Sequence, residues 1–421
     1  MGRPNSAPLL HYAHATWETR IGLRDFAADF EGGHMTDQIE HVEIALTDEL
    51  LGIRRQLHRH PERSFKEFET CRRLRNLLES HGITVLDNSL DTGVIGEIRG
   101  EHDGPQIGLR ADIDALPVHE DSGLDFASEN EGVMHACGHD IHMTSLLGAA
   151  FWLEAHRELI HGTIRLVFQP AEELGQGARA VADAGLVDGL DAMIGTHNNP
   201  DYKPGQIAVG VEPMMAGCVK FRVNLHAQGT HAGYPHRGTG PFEAMAAMIL
   251  SLQTIVSRNA SPFHPLVVSV TEVHGGDVWN VVPAEAGFQG TARYFHREDG
   301  NLAERRFRQI VESTAAAYDI AVDYVWDDFQ RPLVSDPDLA TLAMNHVPEY
   351  AQLEPIHPSM AGEDFAEYEG HTRLLFAFIG SNGSEGCADL HSPKFVALDD
   401  AVKTGAEFYA NSALEVLEHL S

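Results

Sequence analysis

The sequence predicts an α/β protein with a mostly parallel central sheet, interrupted by an inserted domain of a different build. Three observations carry this. Short apolar strands alternate with helical segments over residues 94–195, the pattern of a layer built on parallel strands. After Gly217 the order becomes β-α-β-β-α-β, with half-exposed strands and two long helices, which is the ferredoxin-like split motif. From Pro332 to the end the α/β character returns. A chain of 421 residues has room for two or three domains at roughly 150 residues each.

The elements follow in order. Residues 39–54 carry apolar side chains at helical spacing, and His60-Pro61 stops that helix. A second helix over 66–80 places Phe68, Cys71, Leu74 and Leu78 on one face and ends at Gly82. Strands are predicted at 94–98, 106–110, 163–168 and 192–195, and helices at 144–156 and 178–184. In the insertion, 219–226 alternates apolar and polar residues as a half-exposed strand does. A helix over 241–256, strands at 266–274 and 287–294, a helix over 302–318 and a strand at 321–326 complete it. The implied domains are 36–216 with 327–421 for the main layer and 217–326 for the insertion. Residues 1–35 read as an N-terminal extension, either a tag remnant around Gly32-Gly33-His34-Met35 or a mis-called start, without the apolar stretch of a secretory signal.

Composition narrows the function. No apolar run approaches the roughly 18 residues that span a bilayer. The 62 acidic against 30 basic residues give a formal charge of −32, which repels phosphate backbones and anionic membranes, so neither nucleic acid nor membrane is an expected partner. Cys71, Cys137, Cys218 and Cys387 are too few for a disulfide framework and fit a reducing, cytoplasmic compartment. The 26 histidines direct attention to metal ligands.

Five motifs carry ligand chemistry. In His135-Ala136-Cys137-Gly138-His139-Asp140, a thiolate and an imidazole two residues apart can reach one divalent ion. Alone, that pair reads more readily as a buried free cysteine beside a surface histidine, and the surrounding motifs reverse the balance. Gln169-Pro170-Ala171-Glu172-Glu173 follows an apolar strand, where α/β sheets place their sites. Two adjacent acids suit a metal ligand beside a carboxylate that takes a proton from metal-bound water. His197, in Gly195-Thr196-His197-Asn198-Asn199-Pro200, and His391, in Leu390-His391-Ser392-Pro393, are further candidate ligands. Asp112 and Asp114, in Arg110-Ala111-Asp112-Ile113-Asp114-Ala115-Leu116-Pro117, follow another strand, where a buried aspartate can fix the tautomer of a ligand histidine.

These motifs, with Leu57-His58-Arg59-His60-Pro61-Glu62 and Ala361-Gly362-Glu363-Asp364-Phe365, resemble the M20 family of metallopeptidases, most closely its amidohydrolase branch of hippurate, auxin-conjugate and N-acyl amino acid hydrolases. The resemblance runs from about Leu51 to the C-terminus. Within the branch, the runs ending in Pro200 and Pro283 look most like bacterial N-acetyl amino acid deacetylases.

The resemblance implies a zinc-peptidase-like catalytic domain holding two divalent ions, with the insertion as a lid through which a homodimer, or a tetramer, forms. It implies ligands at Cys137, His139, Glu173, His197 and His391, and a general base at Glu172. Asp112 stands where the wider family has a ligand histidine, and Asp114 becomes the buried carboxylate behind the ligands. His231, in Gly229-Thr230-His231-Ala232-Gly233, matches the residue that polarises the scissile carbonyl, often from the partner subunit, although Thr230 stands where many relatives have glycine. Asn280 and Arg293 match substrate-carboxylate contacts. The implied reaction is hydrolysis of small N-acyl, above all N-acetyl, amino acids with Mn²⁺ or Zn²⁺, or else Co²⁺ or Ni²⁺. Rivals are a dipeptidase or carboxypeptidase on the same scaffold, a binding protein that lost its chemistry, and a hydrolase using Cys137 as nucleophile.

Overall fold

The computed structural model describes residues 41–421. The extension expected over 1–35 and the start of the first expected helix lie outside them. In chain order the first part contains α1 (Asp48–Arg59), α2 (Phe68–Ser80), β1 (Thr84–Leu86), β2 (Val94–Arg99), β3 (His102–Asp112), α3 (His139–Ala155), β4 (His161–Gln169), α4 (Gly177–Asp183), β5 (Ala192–Asn199) and β6 (Gln206–Ala208). The insertion follows with β7 (Gly217–His226), β8 (Thr230–His231), α5 (Pro241–Thr254), β9 (Leu266–Gly275), β10 (Val281–Val282), β11 (Glu285–Tyr294), α6 (Arg297–Ala317) and β12 (Ala321–Gln330). The chain then adds α7 (Pro337–His346), β13 (Gln352–Glu354), β14 (Arg373–Gly380) and α8 (Asp400–Leu420).

The central sheet has eight strands in the order β1-β2-β4-β3-β5-β14-β6-β13. Its middle pairs, β4 with β3, β3 with β5 and β5 with β14, are parallel, and β1 and β2 are antiparallel at one edge. Helices α3 and α8 join one apolar core through Leu146, Leu147, Ala150, Ala410 and Leu414. A second core places Val181 of α4 with Phe365 and Tyr368 against Val167 and Met193. Being buried almost all round, α3 has no amphipathic stripe. That is why apolar spacing marks it only from Thr144, whereas it begins at His139 with a buried polar turn of His139, Asp140 and His142.

Two other elements depart from expectation. The first helix starts at Asp48, capped by the Thr47 hydroxyl, which accepts from Leu50 N at 3.2 Å. The apolar residues before it lie outside any helix or strand. Val42 and Ile44 are buried, and their amides donate to Asn411 Oδ1 at 2.6 Å and Glu407 Oε1 at 3.0 Å on α8. The strand predicted at 192–195 runs on to Asn199, so His197 sits in β5 and not after it.

The insertion forms a separate antiparallel sheet, β12-β7-β11-β9, with the strand order of a ferredoxin-like unit. Helices α5 and α6 cover one face over Phe221, Met248, Phe288 and Phe307. The last strand continues past 326 to Gln330. Among the described residues no helix is long and apolar enough to cross a membrane.

The cap on α1 gives a local test. Thr47→Ala removes the acceptor for Leu50 N and should cost about 1 kcal/mol in urea denaturation, whereas Thr47→Ser should cost little.

Candidate metal centre

Three parallel strands end side by side. Asp112 closes β3, Gln169 closes β4 in register with it, and β5 delivers His197 and Asn198 beyond the pair. The loops leaving this edge carry Asp114, Glu172 and Glu173, so the parallel sheet gathers distant motifs. Gly138, at φ 79, lets the backbone turn between Cys137 and His139, where a side chain would collide with the Asn198 amide. Ala171 and His391 adopt left-handed backbone without being glycine, at φ 53 and 65. Such strain persists where surrounding contacts over-determine the conformation.

The five expected ligands converge. Cys137 Sγ lies 3.3 Å from His197 Nε2 and 3.3 Å from His391 Nε2. Glu173 Oε1 lies 3.5 Å from His391 Nε2 and 3.8 Å from His139 Nε2. Two ligand triads result, Cys137 with His139 and His197, and Cys137 with Glu173 and His391, and they share the thiol. His139 Nδ1 donates to the Asp114 carbonyl at 2.9 Å, and His197 Nδ1 to the Asn198 carbonyl at 2.7 Å. Each histidine therefore turns its Nε2 lone pair inward.

The site fits divalent cations. His139 Nε2 and Glu173 Oε1 are buried and lack any hydrogen-bond partner among the described residues, although buried polar atoms are nearly always paired. Electrostatics point the same way. Burial, with Glu173 and Glu172 nearby, holds the Cys137 thiol well above its ordinary value. Burial lifts Glu173 to about 7 against the opposing pull of His139. Burial alone would lower His139, but Asp112, Asp114 and Glu173 outweigh it and raise the imidazole to about 10. Burial lowers His197 to about 3, with His142 adding to it. Excess negative charge around soft and borderline donors is what a divalent ion neutralises.

Glu172 is buried beside the ligands. Burial and the carboxylates of Glu363, Glu173 and Asp364 hold it well above the usual carboxylate range. Asp114 sits behind His139, its carbonyl accepting His139 Nδ1 at 2.9 Å and its Oδ1 lying 3.4 Å from the same nitrogen. Its carboxylate also accepts Glu172 N at 3.1 Å, Glu173 N at 3.2 Å and the Ser64 hydroxyl at 2.6 Å.

Asp112 and His142 were not expected as partners. His142 Nδ1 donates to Asp112 Oδ1 at 2.6 Å, and His142 Nε2 accepts Asn198 N at 2.8 Å. The signal was present in the sequence, because His142 stands one helical turn beyond His139. Beneath them Arg110, fully buried, donates to Asp112 at 2.8 Å and to Glu363, Asp364 and Gln169, each at 2.9 Å.

A cavity of about 760 Å³ opens over Cys137, Glu172, Glu173, His197 and His391. Arg293 on β11 reaches it, held by the Thr291 hydroxyl at 3.1 Å and by Cys218 Sγ. His231 and Asn280 do not line it. They sit together at the tip of the insertion, where β8 pairs β10 and Ala232 N donates to the Asn280 carbonyl. His231 is exposed there.

Comparison with known proteins agrees with this arrangement. The model of peptidase family M20/M25/M40 matches residues 108–415. The chain is 41% identical to the N-acetyl-L-cysteine deacetylase of Bacillus subtilis, covering 89% of each protein. It is 35% identical to thermostable carboxypeptidase 2 of Saccharolobus solfataricus, covering 90% of this chain and 98% of that one. Among solved structures it is similar to the Bacillus subtilis YxeP protein, described as a dinuclear metal-binding peptidase of family M20, with a TM-score of 0.80 and 37% identity, covering 88% of this chain and 98% of that one. The chain belongs to peptidase family M20/M25/M40.

Removing the buried cation tests the support of the centre. Arg110→Ala takes the guanidinium from Glu363 and Asp364 and leaves Asp112 with only His139 and His142, and should cost about 3–5 kcal/mol in denaturant unfolding of the metal-free protein.

Proposed function

We propose that this protein is a metal-dependent amidohydrolase that cleaves small N-acyl amino acids, N-acetyl derivatives foremost, to a carboxylate and a free amino acid. The observation that carries the reading is the convergence of Cys137, His139, Glu173, His197 and His391 on one cavity floor with Glu172 buried beside them. The deacetylase relative supports the substrate class. The ligand set accepts two divalent ions, Mn²⁺ or Zn²⁺, or else Co²⁺ or Ni²⁺, because Cys, His and Glu donors serve all of them.

When bound, such ions supply Lewis-acid polarisation of a water and of the scissile carbonyl. The chain's own groups do the rest. Glu172 takes the proton from the attacking water and hands it to the departing amine. Its place beside the ligands on the cavity floor suits a group that serves as base and then as acid. Arg293 meets the carboxylate of the amino acid part from the cavity wall. The domain division at 36–216 with 327–421 and at 217–326 makes the insertion a lid.

His231 and Asn280 act on a partner's cavity. Neither is among the residues that line this chain's own cavity, which supports that reading, as does the exposed Trp279 beside them, 93% accessible. The edge strand β9, paired on one side only, offers a homodimer contact, alone or within a tetramer. The four cysteines are all unpaired, which supports a cytoplasmic setting.

Metal-stripped protein should release no amino acid from N-acetyl, N-benzoyl or indole-acyl substrates until Mn²⁺ or Zn²⁺ is restored. Hydrolysis of free dipeptides alone would move it to the peptidase activity that the carboxypeptidase relative's name describes. Glu172→Gln should keep metal and substrate binding and lose at least about 10²-fold in kcat. His231→Ala should also be impaired. Mixing the two variants should restore about a quarter of wild-type activity, because half the dimers are then mixed and each holds one intact composite site. No restoration on mixing would place His231 outside the partner's site.

A further inference from the structure

We infer that Glu67, supported by Ser64, is a positioning residue that sets the direction of Glu172 and Glu173. The observation is a run of three backbone amides held by two buried carboxylates. Ala171 N donates to Glu67 Oε1 at 3.0 Å, and Glu172 N and Glu173 N donate to the two oxygens of Asp114. Glu67 has no accessible surface, and it lies 104 residues from Ala171 in sequence. The Ser64 hydroxyl fixes Asp114 Oδ2 at 2.6 Å.

The turn needs this hold. Ala171 sits in the left-handed region at φ 53, a conformation costly for a residue with a Cβ. The proline before it offers no N–H to anchor the strand end. Without the Glu67 acceptor, a buried N–H loses its partner and the backbone is free to relax toward ordinary angles. Such a relaxation would rotate the side chains of Glu172 and Glu173 away from the cavity. The segment that delivers Ser64 and Glu67 is itself bent at Phe65, with φ 59, and is bridged to Ala115 through Arg63. Residues 63–67 thereby tie the loop after β3 to the loop after β4.

The role in turnover rests on the function proposed above; the backbone hold does not. Two readouts keep them apart. The first is amide hydrogen exchange over residues 169–176 in metal-free protein. Glu67→Ala should speed exchange in this segment about tenfold with no change in the sheet of the insertion, and Glu67→Gln, which keeps the acceptor, should stay near wild type. Ser64→Ala, a smaller change at a half-buried site, should speed it in the same segment to a lesser extent and remains usable if Glu67→Ala does not fold. The second readout is kinetics on an N-acetyl amino acid. Glu67→Ala should lower kcat with KM little changed, and Glu67→Gln should recover most of it. Unaltered exchange at 169–176 in both Ala variants would overturn the inference, as would a folded Glu67→Ala with wild-type kcat. A wild-type enzyme inactive on every acyl amino acid would defeat the functional reading and leave the exchange result to stand alone.

Discussion

Arg110 lies fully buried at the end of β3, with its planar guanidinium spread across Asp112, Glu363, Asp364 and the Gln169 amide. A fork of N–H donors in fixed geometry can hold several acceptors at once, as a lysine could not. From it a relay runs outward. Asp112 takes the His142 N–H, His142 accepts the Asn198 amide, and the Asn198 side chain donates to the Cys137 carbonyl. On the other side Asp364 accepts the backbone of Ala178 and its own amide approaches Glu172. One desolvated cation therefore fixes the floor on which both the Cys137 thiol and Glu172 stand. The arrangement is specific because a half-broken buried ion cluster costs more than none.

Above that floor the negative charge is left in excess. Glu172, buried, and Glu173, half-buried, are adjacent in sequence and close to Asp114. Two carboxylates side by side in low dielectric favour a proton or a cation between them. Inward-facing imidazole nitrogens, a thiol and a carboxylate together form a donor set for a divalent ion. The fold thus stores electrostatic strain at the centre and places its backbone strain, at Ala171 and His391, on the loops that carry ligands.

Much of this was legible in the sequence. Cys137 and His139 flank Gly138, and Glu173, His197 and His391 stand in short motifs after or within predicted strands and loops, which the resemblance to family M20 joined into one ligand set. The ferredoxin-like insertion showed through its alternating strand at 219–226 and its long helices. What stayed hidden has two causes. Contacts such as Arg110 with Glu363 join residues 253 apart in sequence, and no local period encodes them. The segment at 41–47 carries apolar residues whose spacing mimics a helix, yet the amides of Val42 and Ile44 bond side chains of α8, a tertiary choice that local pattern cannot show. The turn at Ala171 was also invisible, because alanine is not a residue that signals left-handed backbone.

Cys137 is common to both ligand triads, and its sulfur is the donor on which a two-ion centre turns. The direct measurement is titration of metal-free protein with Co²⁺, following stoichiometry and the thiolate-to-cobalt absorption band in wild type and in Cys137→Ser. Two ions per chain, with a band that Cys137→Ser abolishes while the protein stays folded, is the predicted result. Binding of two ions with no thiolate band, or a band that survives in Cys137→Ser, would contradict it.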